Sequence, residues 1–325
     1  MFLLLAVALG AAPAAHAQIS CGDTLGPGGK FEATADIGPC SQDPALTIVG
    51  SVKVDFAGHE LSCDSTMKNG IEIEGKGAKV ENGAVTGCDD AITVGGEGRH
   101  KLTRMVARGI EGHGFLLTSD GNKVKECTVA DGNDIAIQLM SADKNAITDT
   151  HVARIDDNGV QLDESHRNKL KRVSASAVHR GFVVFGDGNK LDDCRVMDTI
   201  ARGAVVGGDG NRLKEFSAVR VQTGVWLDAG IGNRLTKCRI ADASLQGIAV
   251  RSGAVGARVE KCQVIGGMYD GIVVESGATG TIVKKNVVLH HDRTDAVDEN
   301  ASCGTNMWTS NTIGTSDPPA GGCVQ

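Results

Sequence analysis

Residues 186–191 read Gly-Asp-Gly-Asn-Lys-Leu, and residues 208–213 read Gly-Asp-Gly-Asn-Arg-Leu. The asparagines, Asn189 and Asn211, are 22 residues apart, and Asn233 follows after another 22. Upstream, Asn122, Asn145 and Asn168 keep the same phase at steps of 23. A second phase is a glycine followed by an alternating triplet: Gly114-Phe-Leu-Leu, Gly159-Val-Gln-Leu, Gly181-Phe-Val-Val, Gly203-Ala-Val-Val, Gly224-Val-Trp-Leu, Gly247-Ile-Ala-Val and Gly271-Ile-Val-Val. Gly70-Ile-Glu-Ile and Ala91-Ile-Thr-Val extend that series towards the N-terminus. Each period holds two or three short alternating pieces separated by glycine or polar corners. One such unit cannot bury its own apolar side, whereas stacked units can, so a fixed period of this size indicates a solenoid. Alternation at period two, without apolar residues at helical spacing, makes the units strands.

Composition agrees. The chain has 325 residues, 44 glycines and six prolines, and no proline lies between Pro44 and Pro318. A long proline-free stretch suits unbroken backbone ladders, because proline lacks a donor. Only 3% of residues are aromatic, so the core is expected to consist of small branched side chains. Net charge is −7 with acids and bases well mixed. No basic patch is present, which argues against nucleic acid as a partner.

The pattern resembles the right-handed parallel β-helix superfamily, whose best-known members are pectate lyases and polygalacturonases. The resemblance covers residues 45–292 and implies an all-β fold of about eleven coils, with little indication of function. In such a fold each Asp-Gly-Asn is a corner, where glycine and asparagine accept left-handed backbone. Asn189 and Asn211 are expected to stack as an amide ladder. Asp187 and Asp209 would then lie roughly 5 Å apart, splayed into water or sharing a cation.

The chain opens MFLLLAVALGAAPAAHA, an apolar run ending in a small-x-small site, read as a signal peptide over 1–17. No other stretch suits a membrane span, so a secreted or periplasmic protein is expected. Ten cysteines fit that compartment. Residues 18–44 are read as an N-terminal cap pinned by Cys21–Cys40. Cys63 and Cys88, about one coil apart, are read as a bridge between neighbours. Residues 293–325, whose Asp298-Glu-Asn motif resembles the closing tail of secreted β-helix proteins, are read as a C-terminal cap closed by Cys303–Cys323. Cys127, Cys194, Cys238 and Cys262 share an inward phase with Val173 and Phe216. They read as buried thiols, with Cys238 and Cys262 close enough to oxidise. The Asn300-Ala301-Ser302 sequon matters only in a host that glycosylates exported proteins.

Two outward columns follow from the triplets. The first reads Glu72, Thr93, Leu116, Ala136, Gln161, Val183, Val205, Trp226, Ala249 and Val273. The second reads Glu74, Gly95, Thr118, Gln138, Asp163, Phe185, Gly207, Asp228, Arg251 and Glu275. Trp226 and Phe185 can stack on sugar rings, with Gln161 and Asp163 supplying polar contacts. The apolar middle of this face can equally mediate self-association. The corner before the face carries Asp89-Asp90, His113, Asp134, Asp156-Asp157, His179-Arg180, Arg202 and Asp270. Those groups can protonate a leaving oxygen, activate water and hold an acidic sugar.

Part of the corner is similar to polygalacturonases: Cys88-Asp89-Asp90-Ala91-Ile92 matches their paired-aspartate motif and Gly112-His113-Gly114 their Gly-His-Gly motif. The resemblance implies Asp89 and Asp90 as acid and base and His113 in support. Lys68-Asn69-Gly70 stands where that family has Asn-Thr-Asp, and no Arg-Ile-Lys follows. A lyase would instead use Arg180 or Arg202 as base, with calcium on Asp156–Asp157. Asp157, Arg180 and Arg202 could also form an inter-coil salt-bridge ladder without chemistry. The expectation is a polysaccharide-binding protein, with hydrolase or lyase activity, or a non-catalytic adhesion module, as the alternatives. No resident cofactor or structural metal site is expected, and calcium is the one ion the sequence suggests.

Overall fold

The structure is a computed structural model that describes residues 18–317 and 323–324. The expected signal peptide, 1–17, lies outside the described residues. Three parallel ladders wind around one apolar core. The first ladder begins at Thr24–Leu25 and passes through Leu46–Val49, Ile71–Glu74, Ile92–Val94 and Phe115–Leu117 to Ser316–Asp317. The second starts at Lys30–Glu32 and ends at Met307–Thr309. The third starts at Ile37–Cys40 and ends at Thr312–Ile313. Long strands such as Lys79–Thr86, His151–Asp163 and Ser174–Phe185 run from one ladder into the next. Every pairing is parallel and joins residues one coil apart, which gives about 13 coils.

This corrects the expectation of about eleven. Both end segments continue the ladders: Thr24–Leu25 pairs with Leu46–Val49, and Thr294–Asp298 pairs with Asp270–Val274. Neither coil has the Gly-triplet, and of the corner signal only Asn306 is present, accepting from the Thr281 N–H at 2.9 Å, so their periodicity is hardly legible in the sequence.

Inward residues of all three ladders form one continuous core. It is mostly Val, Ile, Leu and Ala, with Phe56, Phe115, Phe182 and Phe216 fully buried. Phe182 and Phe216 meet edge-to-face at 5.9 Å.

The asparagine phase is a buried ladder, but its bonds run from side chain to backbone rather than from amide to amide. Asn122 Oδ1 accepts from the His100 N–H, and Asn145 Oδ1 from the Asn122 N–H. Asn168, Asn189, Asn211 and Asn233 repeat the bond at 2.7–2.9 Å. Their Nδ2 groups return to carbonyls of the corner, as Asn189 does to Ser165 O and Asn211 to Gly186 O and Gly207 O. Apart from Asn145, whose Nδ2 has no partner, each amide therefore satisfies a donor and an acceptor that the sharp bend removes from the sheets. The outer aspartates avoid the expected repulsion in the same way. Asp187 Oδ1 accepts from the Asp209 N–H at 2.8 Å, and Asp209 Oδ1 from the Ile231 N–H at 2.7 Å.

The remaining corners use charged residues in left-handed backbone. Asp131 and Arg154 pair across coils, as do Asp149 with Arg172 and Asp198 with Arg220, all six with φ of 52–58°. The salt-bridge ladders thus lie on these corners and not along Asp157, Arg180 and Arg202.

Disulfides join Cys21–Cys40, Cys63–Cys88 and Cys303–Cys323. A fourth joins Cys238 and Cys262, so only Cys127 and Cys194 are free. Burial pushes their thiols up to about 11 and about 12 respectively, which leaves them unreactive. At the C-terminal end Asp298 accepts the Trp308 Nε1–H at 2.9 Å, and Asp295 accepts both the Thr315 N–H at 2.8 Å and His291 Nδ1 at 2.8 Å. Those carboxylates fasten the last coil to the stack. Among the described residues no helix is long and apolar enough to cross a membrane.

Candidate functional site

The first ladder presents its outward side chains in straight files. Its register corrects the expected frame in one coil. Leu116 aligns with Gln138, and Gln138 with Gln161, so Gln138 moves from the second column to the first in place of Ala136, and Met140 takes its place beside Asp163. Ile135-Ala136-Ile137 alternates as well as Ile137-Gln138-Leu139 does, so alternation alone cannot fix the frame.

At the N-terminal end of the face, Asp89, Asp90 and His113 come together as expected, with Asp134 completing the group. Asp90 Oδ1 accepts from both the His113 backbone N–H, at 2.7 Å, and His113 Nδ1, at 2.8 Å. His113 Nε2 lies 3.8 Å from Asp134 Oδ2. Gly112 makes this arrangement possible. A Cβ there would meet Asp90 Oδ1 at 2.6 Å and Asp89 Oδ1 at 2.7 Å, so the two carboxylates converge on its bare Cα.

The two carboxylates differ in their environment. Burial, followed by the charge of Asp90, raises Asp89 above the usual carboxylate range. Burial also acts on Asp90, but hydrogen bonds from His113 outweigh it and hold Asp90 low. His113 is raised, chiefly by its hydrogen bond to Asp90 and against its own burial. Two adjacent carboxyls shifted in opposite directions are the kind of separation acid–base chemistry uses.

This coupling makes stability depend on pH. The raised imidazole contributes below its unfolded value, near 6.5, and its contribution disappears as pH climbs through the folded value. The depressed carboxylate contributes above about pH 4 and loses its contribution as pH falls through its folded value. Melting temperatures of the wild type and His113→Asn should therefore differ most between about pH 4 and 6.5 and converge on either side. A difference independent of pH would contradict the pairing.

In the middle of the face, Asp157 lies 3.6 Å from His179 Nδ1. Asp156 is exposed, at an irregularity in the pairing between Ile155 and Asn158. A polar chain then crosses the face. Gln138 and Gln161 both donate to Asp163 Oδ2, at 2.8 and 2.7 Å. Asn158 donates to Gln161 Oε1 at 2.6 Å and accepts from Arg180 at 3.5 Å.

Beyond it is a groove of about 440 Å³ lined by Arg180, Phe185, Arg202, Trp226, Asp228 and Arg251, with Val183 and Val205 as its floor. These valines point outward yet are 4% and 7% exposed, because the long side chains around them cover the apolar stripe. Arg202, from the preceding coil, and Arg251, from the following one, each place their guanidinium carbon 4.0 Å from the centre of the Trp226 ring. Trp226 is thus enclosed by cations, while Phe185 is 43% exposed. Burial, with the neighbouring charges of Arg180 and Arg251, lowers the pKa of Arg202. Its Nε is buried without a hydrogen-bond partner. Arg251 bonds Glu275. Among the described residues, neither Arg180 nor Arg202 has a carboxylate within 4.0 Å.

Arg251 and Gln138 were not singled out from the sequence as site residues. Arg251 stands in the second outward column, but its stacking on Trp226 depends on the next coil. No group of three or more His, Cys, Asp or Glu side chains that could hold a metal ion occurs among the described residues.

Residues 69–218 match a family described as the right handed beta helix region. No curated protein matches the sequence. Among solved structures, the catalytic domain of a GH87 α-1,3-glucanase in complex with nigerose superposes with a TM-score of 0.70 at 13% identity, over 89% of this chain and 64% of that one. The periplasmic alginate epimerase AlgG gives 0.66 at 12%, over 83% and 77%. The A-module of the Azotobacter vinelandii mannuronan C-5 epimerase AlgE6 gives 0.55 at 12%, over 91% and 90%. At such identities the likeness is one of fold.

Proposed function

Because the chain is a right-handed parallel β-helix, with one long face of aligned side chains, we propose that it binds a polysaccharide along the first ladder. The Asp89–Asp90–His113 end would supply acid–base groups for processing the bound chain. The observation that carries this reading is the groove through Arg180, Phe185, Arg202, Trp226 and Arg251. It gathers three guanidinia and two aromatic rings, and the Nε of Arg202 is buried there without a partner. Structures of similar fold include proteins named as alginate epimerases and an α-1,3-glucanase, which supports a saccharide ligand. Four disulfides fit an exported protein.

In the processing role, Asp89 would donate a proton to the leaving oxygen. Asp90 would hold His113 in orientation through Nδ1, leaving Nε2 towards Asp134. Arg180 and Arg202 would hold the sugar in place. The test is incubation of the mature protein with neutral and acidic polysaccharides, with and without calcium. Retention is measured by affinity electrophoresis and products by mass spectrometry. Retention on at least one polymer is expected, and Asp89→Asn should abolish any turnover while leaving retention intact. Unsaturated products would identify a lyase and hydrated ones a hydrolase. Failure to retain any polymer would overturn the reading.

A further inference from the structure

The binding face is electrically divided. Over the five coils from Ile71–Glu74 to the end of His151–Asp163, its outward columns and leading corner carry Glu72, Glu74, Asp89, Asp90, Asp134, Asp156, Asp157 and Asp163. Against these eight carboxylates stand one ammonium, Lys68, at the far end, and the imidazole of His113. Over the next four coils the same columns carry Arg180, Arg202 and Arg251, with Asp228 as the one carboxylate. Glu275 begins the coil after that.

Neighbouring coils are about 4.8 Å apart. The acidic half therefore spans about 19 Å and the basic half about 14 Å. A Debye length near 8 Å at physiological salt covers more than one coil, so each half acts on a ligand as a collective field. At coil spacing, like charges near a protein surface repel by up to a few kcal/mol. A polymer with an acid on every sugar would gain over the arginines and lose over the carboxylates. A neutral polymer would leave Arg180 and Arg202 without an anionic partner.

We propose that the ligand is a polysaccharide of intermittent charge, with a carboxylated or sulfated sugar seated on Arg180, Arg202 and Arg251 and uncharged sugars over the acidic coils. This deepens, and rests on, the polysaccharide-binding reading above. The anion site is built rather than incidental. Trp226 holds Arg202 and Arg251 4.0 Å from its ring centre. Arg251 is also bonded to Glu275, whereas Arg202 is fixed with no carboxylate partner among the described residues. The buried, unpartnered Nε of Arg202 is a donor that an anionic oxygen would satisfy. In the acidic half Gln138, Gln161 and Asn158 form a file of amides, with Gln138 Oε1 itself unpartnered. Amides suit sugar hydroxyls.

The test is titration calorimetry of the mature protein at low and at physiological salt with four probes. Hyaluronan and unsulfated chondroitin alternate a carboxylated with an uncharged sugar, polygalacturonate is uniformly anionic, and unsubstituted xylan is neutral. At least one alternating probe should bind about tenfold more tightly than either polygalacturonate or xylan, and salt should weaken it. R202Q together with R251Q should erase that preference, and R202K with R251K should restore part of it. Melting curves separate lost binding from lost folding. D134N with D157N and D163N should improve polygalacturonate binding about tenfold. Equal or tighter binding of wild type to polygalacturonate, or no gain in the triple variant, would overturn the charge pattern while leaving polysaccharide binding standing. Binding of none of the four would remove both.

Discussion

Asn211→Ala should destabilise the protein by about 3–4 kcal/mol, among the largest effects of any single polar substitution in this chain. The Asn211 amide makes three buried bonds: it accepts from the Asn189 N–H and donates to Gly186 O and Gly207 O. Alanine removes all three bonds at a position that is fully buried. Each buried group left unpaired costs roughly 1–3 kcal/mol. Asn145 provides an internal control. Its Oδ1 accepts from the Asn122 N–H, but its Nδ2 has no partner, so Asn145→Ala should cost about 1–2 kcal/mol. Guanidinium unfolding of both variants checks the order. Equal losses at the two sites would mean that the bonds to the corner carbonyls contribute nothing. Because each coil contacts chiefly its neighbours, the loss can also appear as local opening around residues 186–211.

Gly224→Val should cost about 3 kcal/mol, for a reason opposite to the usual one given for glycine. Gly224 is not at a corner and does not need left-handed backbone. It begins a strand, where a Cβ would overlap the Gly247 carbonyl oxygen and the Cγ2 of Ile240. The next coil passes so close that even a single methyl requires the neighbours to shift, and a branched side chain adds two further carbons to the same gap. Ala91 and Ala136 occupy the same file, so a single methyl is accommodated where the neighbours are arranged for it. Gly224→Ala should therefore cost distinctly less than Gly224→Val. The midpoint of guanidinium unfolding measures both. If valine cost under about 1 kcal/mol, the glycine file would be a matter of strand-entry geometry and not of packing.

Much of the architecture was legible because a solenoid writes its rule many times. The Asn189, Asn211 and Asn233 spacing gave the period, and the Gly-triplets gave the inward frame. The inward phase of Val173, Phe216, Cys127 and Cys194 is as the triplets imply, and all four are buried. The frame slipped once, at Ile135-Ala136-Ile137, where two alternations compete and only pairing with Leu116 and Gln161 decides between them. The end coils were hardly legible, because Thr24–Leu25 and Thr294–Asp298 pair in register without the Gly-triplet.

The candidate site was legible in part. Asp89, Asp90 and His113 could be brought together on paper, since coil-to-coil stacking converts sequence period into proximity. Their charge states could not. Asp89 and Asp90 are adjacent carboxylates of the same kind, and only the direction of the His113 hydrogen bonds makes one low and leaves the other high. Phe185 and Trp226 looked equivalent as aromatic surfaces, yet guanidinia from the coils on either side enclose Trp226.

The sequence by itself determined the period, the ladder type, the inward and outward sides and the rows in which polar residues stand. Those are properties of one coil, repeated, and local alternation encodes them. The tertiary structure alone decided which neighbour each side chain leans on: Arg202 and Arg251 on Trp226, Asp90 on His113, and each corner asparagine on the backbone of the preceding coil. The physical reason is that stacking fixes Cα positions to a common file, whereas the contact made within that file depends on side-chain length and direction across a gap of about 4.8 Å, where one rotamer separates an ion pair from a stacked ring.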